Sequence, residues 1–506
     1  MENGMSCRRI RRLSFIATAL ISLSWSLLYL PHLRDSPKWY GDETLTLIIG
    51  KALFAGHPSD RAMKISFWHP SYSYQPGYAW MVGGIAWLFN GDILGARLLN
   101  AFLALAIGLT IYVGGRGILG HFPAWFGALM FLGYSQSVIH FRWIYPHNAV
   151  AFGLLITLLA ILRRSRPKVD WMAGAGLGIA AMSHPLFIHG MIAALLSRIK
   201  QPRAWFRLVT PPTIVIFLSL VCALFRYWPE HWLFQDLSDL FEFYLASSSQ
   251  SGSGIKAIEN IRVFYCHDFF HIGAAVGGFL CLRRRLYPIA IFVFVISALL
   301  LQNRQNIPIF YYQAVIFLPA LSLAWSGGFR VLLSWLRRFS RGSTTVSRSA
   351  ATIGLILAML SIGRAVPESL SGHLISRNDF WVTQIPEEVE HASRWLNERV
   401  AQSDLVICNP NIAWLLHCRV ADLMQATAWR GKRTFTFERP VSRERFLFPA
   451  DVNEARYVVV GDIDQRWTFL QPGVADIAYQ LADEKWPVVW QGRFYLILEN
   501  PNLKAN

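Results

Sequence analysis

The stretch Lys38-Trp39-Tyr40-Gly41-Asp42-Glu43-Thr44-Leu45-Thr46-Leu47-Ile48-Ile49 sets two adjacent carboxylates just beyond a long apolar run at 13–30. Leu45, Ile48, Ile49, Ala52 and Leu53 follow at helical spacing. Gly41-Asp42-Glu43 therefore predicts a helix start, with Asp42 as a capping residue. A carboxylate at the mouth of a cavity can also act as a general base if it reaches a hydroxyl proton and stays ionised. A helix N-terminus favours the ionised form, so one residue can do both jobs. Asp42 and Glu43 are the candidate catalytic pair, with Asp42 as the base. Neighbouring residues point in different directions on a helix, which leaves Glu43 a supporting or structural part.

The chain has 506 residues, 54% of them hydrophobic and only 16% charged, which is too little charge for a soluble protein of this length. It is expected to be a polytopic α-helical membrane protein. A net charge of +17 would suit a nucleic-acid partner. However, the Lys and Arg fall in short clusters between apolar segments, the pattern of cytoplasmic loops, and no readout motif accompanies them. Nucleic acid is therefore excluded as a partner, and membrane lipids are implied. Arg8, Arg9, Arg11 and Arg12 precede the first apolar run, as in a signal peptide. The run is long and ends without a small-x-small cleavage site, so it predicts a retained first span with its N-terminus inside.

A span needs about 20 apolar residues. The expected spans are 13–31, 94–115, 122–141, 146–162, 170–183, 185–197, 208–227, 268–282, 286–302, 307–326 and 349–366. Two of these choices rest on charge. Counting the short Trp-rich run 76–89 as a span would put the basic clusters 163–168, 283–285 and 330–348 outside; treating it as an interfacial helix keeps them inside. Splitting 171–196 into a hairpin with Ser183-His184-Pro185 at its outer tip does the same for 163–168 and 198–207. This divides the chain into a transmembrane portion, 1–366, with external loops at 34–93 and 227–267, and a small external α/β domain, 367–506. In that domain 387–400 and 474–484 predict helices, and 405–408, 457–460 and 494–498 predict strands. Cys408 and Cys418 lie there, where a disulfide is permitted.

The rest of the first external segment is dense in aromatic and polar residues, including Phe67, Trp68, His69, Tyr72, Tyr74, Gln75 and Tyr78. Interfacial aromatic belts account for part of that density, and stacking on sugar rings is the alternative use. The order of features resembles the GT-C membrane glycosyltransferases, in the branch of the protein O-mannosyltransferases and lipid A aminoarabinose transferases. The shared features are a first span, the Asp42-Glu43 pair, and a Pro76-Gly77-Tyr78 stretch leading an interfacial helix to Phe89-Asn90-Gly91. Ala96-Arg97-Leu98-Leu99 follows, with weaker continuations at 142–148, 182–185 and 303–319. Three positions depart from the family pattern: Gln75 stands where it has Lys, His147 where it often has Asp, and Ser183-His184 where it has Thr-Lys.

The resemblance implies inverting transfer of a sugar from a polyprenyl-phosphate donor to a lipid, glycan or protein acceptor on the external face. Asp42 is the position that matches the family's base. Departing phosphate develops negative charge that fixed cations stabilise. Arg304, His184 and Arg262 are the candidates for that contact; His69, Tyr74, Gln75, His147 and Asn148 are candidates to line the substrate site. Bland uses exist for these too: interfacial snorkelling for Arg304, and polar satisfaction between helices for His147 and His184. No cofactor is implied with certainty; a divalent cation is the one candidate. Asp236, Asp239 and Glu242 recur at helical spacing, as a solvated face, a lining of the acceptor entrance or a divalent-ion site would. Asp462-Ile463-Asp464 matches the Asp-x-Asp of nucleotide-sugar enzymes, but its external setting lacks such donors.

The rival function is a transporter or flippase of lipid-linked glycans; a non-catalytic assembly protein is a third. Ion-coupled transporters place acids at the bilayer midplane. Here the acids fall at the outer edges of the spans, which favours surface chemistry. No eukaryotic-type sugar-binding module is appended, so a bacterial inner membrane is expected over the endoplasmic reticulum.

Overall fold

The computed structural model describes residues 7–55, 75–227, 261–266, 268–282, 285–301, 314–339, 344–375, 383–434, 440–462, 464–465 and 472–503. The chain opens with α1 (Cys7–Tyr29), β1 (Trp39–Tyr40), α2 (Gly41–Ala55) and α3 (Gly77–Leu88). The helical body follows: α4 (Ile93–Leu119), α5 (His121–Gly133), α6 (Ser135–His140), α7 (Pro146–Ile161), α8 (Pro167–Ser183), α9 (Phe187–Ser197), α10 (Pro202–Tyr227), α11 (Phe269–Leu282), α12 (Tyr287–Leu301), α13 (Leu318–Phe339) and α14 (Thr344–Leu370).

Five helical stretches among the described residues are long and apolar enough to cross a membrane: Arg11–Tyr29, Ile93–Leu119, Pro202–Cys222, Val315–Phe339 and Thr352–Leu370. Pro146–Ile161, Phe187–Ser197, Phe269–Leu282 and Tyr287–Leu299 are apolar but shorter. The protein is thus a multi-pass helical membrane protein, and five of its expected crossings meet the length criterion. Two expected spans differ in shape. The segment 122–141 breaks at Tyr134, which stacks on Phe270 at 4.0 Å and donates a 2.7 Å hydrogen bond to Asp268. The expected span 307–326 starts outside the described residues and runs past its expected end: a 3₁₀ turn at Val315–Phe317 leads into a helix that continues to Phe339, through Arg330, Arg337 and Arg338. Those arginines had suggested a loop. Arg337 and Arg338 instead sit in the last helical turn, where cations meet the partial negative charge of the C-terminus.

Beyond α14 come β2 (Thr383–Gln384), α15 (Pro386–Asn397), β3 (Leu405–Ile407), α16 (Pro410–Ala413), β4 (Arg419–Ala421), α17 (Leu423–Trp429), β5 (Ala455–Gly461), α18 (Pro472–Asp483), β6 (Val488–Gln491) and β7 (Tyr495–Glu499). The sheet order is β4-β3-β5-β7-β6, parallel among β4, β3 and β5 and antiparallel from β5 through β7 to β6. Its register rules out the permitted disulfide. Leu405 pairs with Arg419 and Ile407 with Ala421, so Cys418 precedes one end of the pairing and Cys408 follows the other. Four residues of strand separate them by about 13 Å, beyond the roughly 7 Å a disulfide spans. Neither cysteine is in a disulfide, and both are buried.

The C-terminal portion is joined to the membrane portion by a strand pair and by packing. β1 pairs antiparallel with β2, Trp39 against Gln384 and Tyr40 against Thr383. One buried apolar cluster runs from Trp39, Ile48 and Val82 to Ile412, Val458 and Ile497. α2 and α3 approach each other backbone to backbone: a Cβ at Gly83 would overlap the Gly50 carbonyl.

Candidate active site

α2 begins at Gly41, so Asp42 is its second residue rather than the cap expected, and Asp42 and Glu43 both fall in its first turn. A step of 100° around a helix separates their directions, and their environments differ accordingly. Glu43 is fully buried while Asp42 keeps partial exposure. The Glu43 carboxylate receives two parallel 2.7 Å hydrogen bonds from Arg97, Nε to Oε1 and Nη2 to Oε2. The Ile144 N–H adds a third at 3.2 Å. This bidentate geometry matches the planar guanidinium to the carboxylate and is among the strongest side-chain pairings.

Arg97 has a second task. Its Nη1 donates to the carbonyls of Leu33, Arg34 and Pro37 at 2.9, 3.0 and 3.0 Å. Arg142, also fully buried, holds the same connector further back. It donates to Leu28 O at 2.6 and 3.1 Å and to Ser36 O at 2.9 Å, and bonds Ser369 Oγ at the end of α14. The two guanidinium groups thus fix the path of the chain that delivers Asp42.

From the residue before α2, aromatic and imidazole rings run in file across neighbouring helix ends. Tyr40 meets Tyr145 edge-on at 5.3 Å, Tyr145 meets His147 at 5.9 Å, and His147 faces His184 at 4.5 Å. His147 stands in the first turn of α7, and His184 ends α8. Asn148 is buried; its amide donates to Asn100 Oδ1 at 2.8 Å and to the carbonyls of His140 and Trp143 at 3.1 Å. Tyr78 donates to the same Asn100 oxygen at 2.8 Å. Gln75 is buried beside the start of α3, and a Cβ at Gly77 would strike Met182, two residues before His184. His147 and His184 therefore come together, and the start of α3 closes in on the same end of α8.

Arg262 lies exposed in the short helix at 261–265. Arg304, His69, Tyr74, Asp236, Asp239 and Glu242 lie outside the described residues. Among the described residues no group of three His, Cys, Asp or Glu side chains could hold a metal ion. The Asp-x-Asp match diverges: Asp462 is exposed, whereas Asp464 is buried and accepts from the Gly461 N–H at 2.9 Å and from Asn409 at 3.3 Å. Burial pushes its carboxyl up to about 7, against those two hydrogen bonds, which pull it down.

Arg97 and Arg142 had no assigned role in the sequence, although both stand within apolar surroundings. An ionisable residue inside an apolar run is costly unless paired, and that cost is the signal that could have singled them out.

By sequence, no family profile and no curated protein matches the chain. By structure, the chain is similar to ArnT of Cupriavidus metallidurans bound to undecaprenyl phosphate, with a TM-score of 0.64 at 14% identity, over 96% of this chain and 98% of that one. The apo form of the same protein gives 0.61 at 13% identity, over 96% and 97%. The oligosaccharyltransferase of Archaeoglobus fulgidus, in complex with zinc and sulfate, gives 0.55 at 12% identity, over 90% of this chain and 69% of that one. All are GT-C glycosyltransferases, and this chain has their fold.

Proposed function

We propose that the protein is a membrane glycosyltransferase that moves a sugar from a polyprenyl phosphate to an acceptor on the external face, with inversion. The observation that carries this is the unequal fate of two adjacent acids. Glu43 is locked to Arg97, while Asp42, on the same rigid turn, keeps an exposed edge. The GT-C fold and the undecaprenyl phosphate bound to one of the similar structures support the class of donor.

In the proposed step Asp42 takes the proton of the acceptor hydroxyl as its oxygen bonds to the anomeric carbon. The bond from that carbon to the phosphate oxygen breaks, and polyprenyl phosphate departs with the electron pair. His184, with His147 beside it, is the proposed contact for the departing phosphate; Arg262 and Arg304 are the further cationic candidates. Gln75, Asn148, His69 and Tyr74 are assigned to the lining. Glu43 positions and does not exchange protons.

Purified protein offered a panel of polyprenyl-phosphate sugars, with release of polyprenyl phosphate as readout, tests the class. Asp42→Asn keeps shape and removes basicity, so turnover should fall by roughly 10²–10⁴-fold with donor binding kept. Near-normal turnover in that variant would reject Asp42 as the base. Glycan transport without phosphate release would favour the flippase.

A further inference from the structure

The first turn of α2 also touches the C-terminal portion, through a buried polar contact. Thr44 is fully buried two residues after Asp42. Its hydroxyl is shared between the Gly41 carbonyl at 2.9 Å and Asn411 Oδ1 at 3.0 Å. Asn411 is 1% exposed and belongs to α16. Trp414, at the end of the same short helix, meets Trp39 edge-on at 5.3 Å and lies under the Lys51 ammonium at 5.2 Å. Arg34 pairs with Glu390 at 2.5 Å. The turn bearing Asp42 is therefore gripped by the membrane helices through Arg97 and by the C-terminal portion through Asn411.

Asn411 is itself anchored. α16 starts on Asn409, whose side-chain oxygen accepts from the Ile412 N–H at 3.4 Å. The Asn409 amide donates to Asp464 Oδ2 at 3.3 Å, and that oxygen accepts from Gly461 at the end of β5. A path of hydrogen bonds and short helix thus leads from the sheet to the turn that presents Asp42.

We infer that Asn411 is a positioning residue for Asp42, acting through Thr44, so that the C-terminal sheet forms part of the frame of the active site. This rests on Asp42 being the base. A base must stand within hydrogen-bond reach of the proton it abstracts, and displacement by about 1 Å can cost on the order of 10²-fold in rate. Thr44 ties the carbonyl of the residue before Asp42 to a fixed external point, which restrains the turn against that displacement.

The test uses the full chain in detergent or nanodiscs, with Thr44→Val, Thr44→Ser, Asn411→Leu and the double variant Thr44→Val/Asn411→Leu. Two readouts are taken: amide exchange over 41–48, and kcat and KM for the donor in the phosphate-release assay. Asn411→Leu and Thr44→Val should each lower kcat about tenfold with KM unchanged, and Thr44→Ser should restore it. The double variant should be no worse than either single one, because both cut the same link. Exchange should accelerate over 41–48 and stay unchanged in β5 and β7. Wild-type kcat in Asn411→Leu, multiplying losses in the double variant, or accelerated exchange across β5 and β7 would each overturn the inference. A wild-type protein that transfers no sugar would reject the proposed function alone. In that case exchange decides the positioning role: acceleration confined to 41–48 supports it and unchanged exchange overturns it.

Discussion

Replacing Arg97 with Met tests the centre of this arrangement, because the consequences can be worked through bond by bond. The variant keeps much of the stem and removes five donor contacts: two to Glu43 at 2.7 Å and three to the carbonyls of Leu33, Arg34 and Pro37 at 2.9–3.0 Å. Glu43 is left buried with the Ile144 N–H at 3.2 Å and a long contact from the Tyr40 N–H at 3.4 Å. Stranding one partner of a buried pair costs about 3–5 kcal/mol. Each orphaned carbonyl adds about 1 kcal/mol or more unless water reaches it. Arg97→Lys should recover little, since an ammonium cannot present the planar fork. Glu43→Gln in the Arg97→Met background removes the stranded charge. The double variant should therefore be more stable than Arg97→Met alone, with a coupling of about 2 kcal/mol or more. Unfolding in mixed micelles, followed by tryptophan fluorescence, gives the four stabilities. If Arg97→Met lies within 1 kcal/mol of wild type, or the two changes simply add, the pair does not hold the turn as described.

Two further outcomes follow from other parts of the molecule. Asp464 has a folded value of about 7, raised by burial, against an unfolded value near 4, so the folded state holds a proton that the unfolded state has lost between those limits. Its contribution is intact below pH 4 and is lost as pH rises through 7, at about 1.4 kcal/mol per pH unit within the window; Asp464→Asn should flatten that decline in thermal-unfolding midpoints taken from pH 5 to pH 8, and an unchanged slope would contradict it. Gly83→Val would push a side chain into the Gly50 carbonyl and Phe54 and should cost about 1–3 kcal/mol in the same unfolding assay, whereas Gly117→Ala, where nothing lies within 4 Å of the added carbon, should be neutral or slightly stabilising.

Much of the architecture was legible because it depends on local pattern. The apolar runs, the hairpin turn at 184–186 and the strands around 405–407, 455–461 and 495–499 all announce themselves within ten residues of sequence. β4 and β6, of three and four residues, are too short to show alternation. The helix ending at Phe339 ran past its expected limit because arginines were counted as loop markers, though a long side chain can carry its charge away from an apolar helix face. Pairings across long separations left no trace. Glu43 meets Arg97 from 54 positions away, and Thr44 meets Asn411 from 367. Adjacent acids in the sequence look equivalent; the buried pairing of Glu43 and the partial exposure of Asp42 are what tell them apart.

The connector between α1 and α2 explains why two arginines are buried here. Residues 30–38 form turns and bends, so few of their carbonyls find partners in a helix or sheet. Several residues of the connector are nevertheless buried, Leu33 and Ser36 among them, where an unpaired backbone carbonyl is costly. A guanidinium carries five donors in a plane and can serve several carbonyls at once. Arg97 holds the carbonyls of Leu33, Arg34 and Pro37, and Arg142 those of Leu28 and Ser36. Neither cation could be replaced by a hydroxyl or amide, which lacks the number of donors. The charge of Arg97 then has to be balanced where it is buried, and Glu43 does so from the turn that the connector delivers. The acid beside Asp42 is thus the electrostatic counterpart of a loop built without secondary structure. Loops ordinarily move more than the elements they join; this one is pinned at four of its own carbonyls, and at Leu28 in the last turn of α1, and continues into the β1–β2 pair. It can therefore hold a carboxylate to the tolerance that proton abstraction requires.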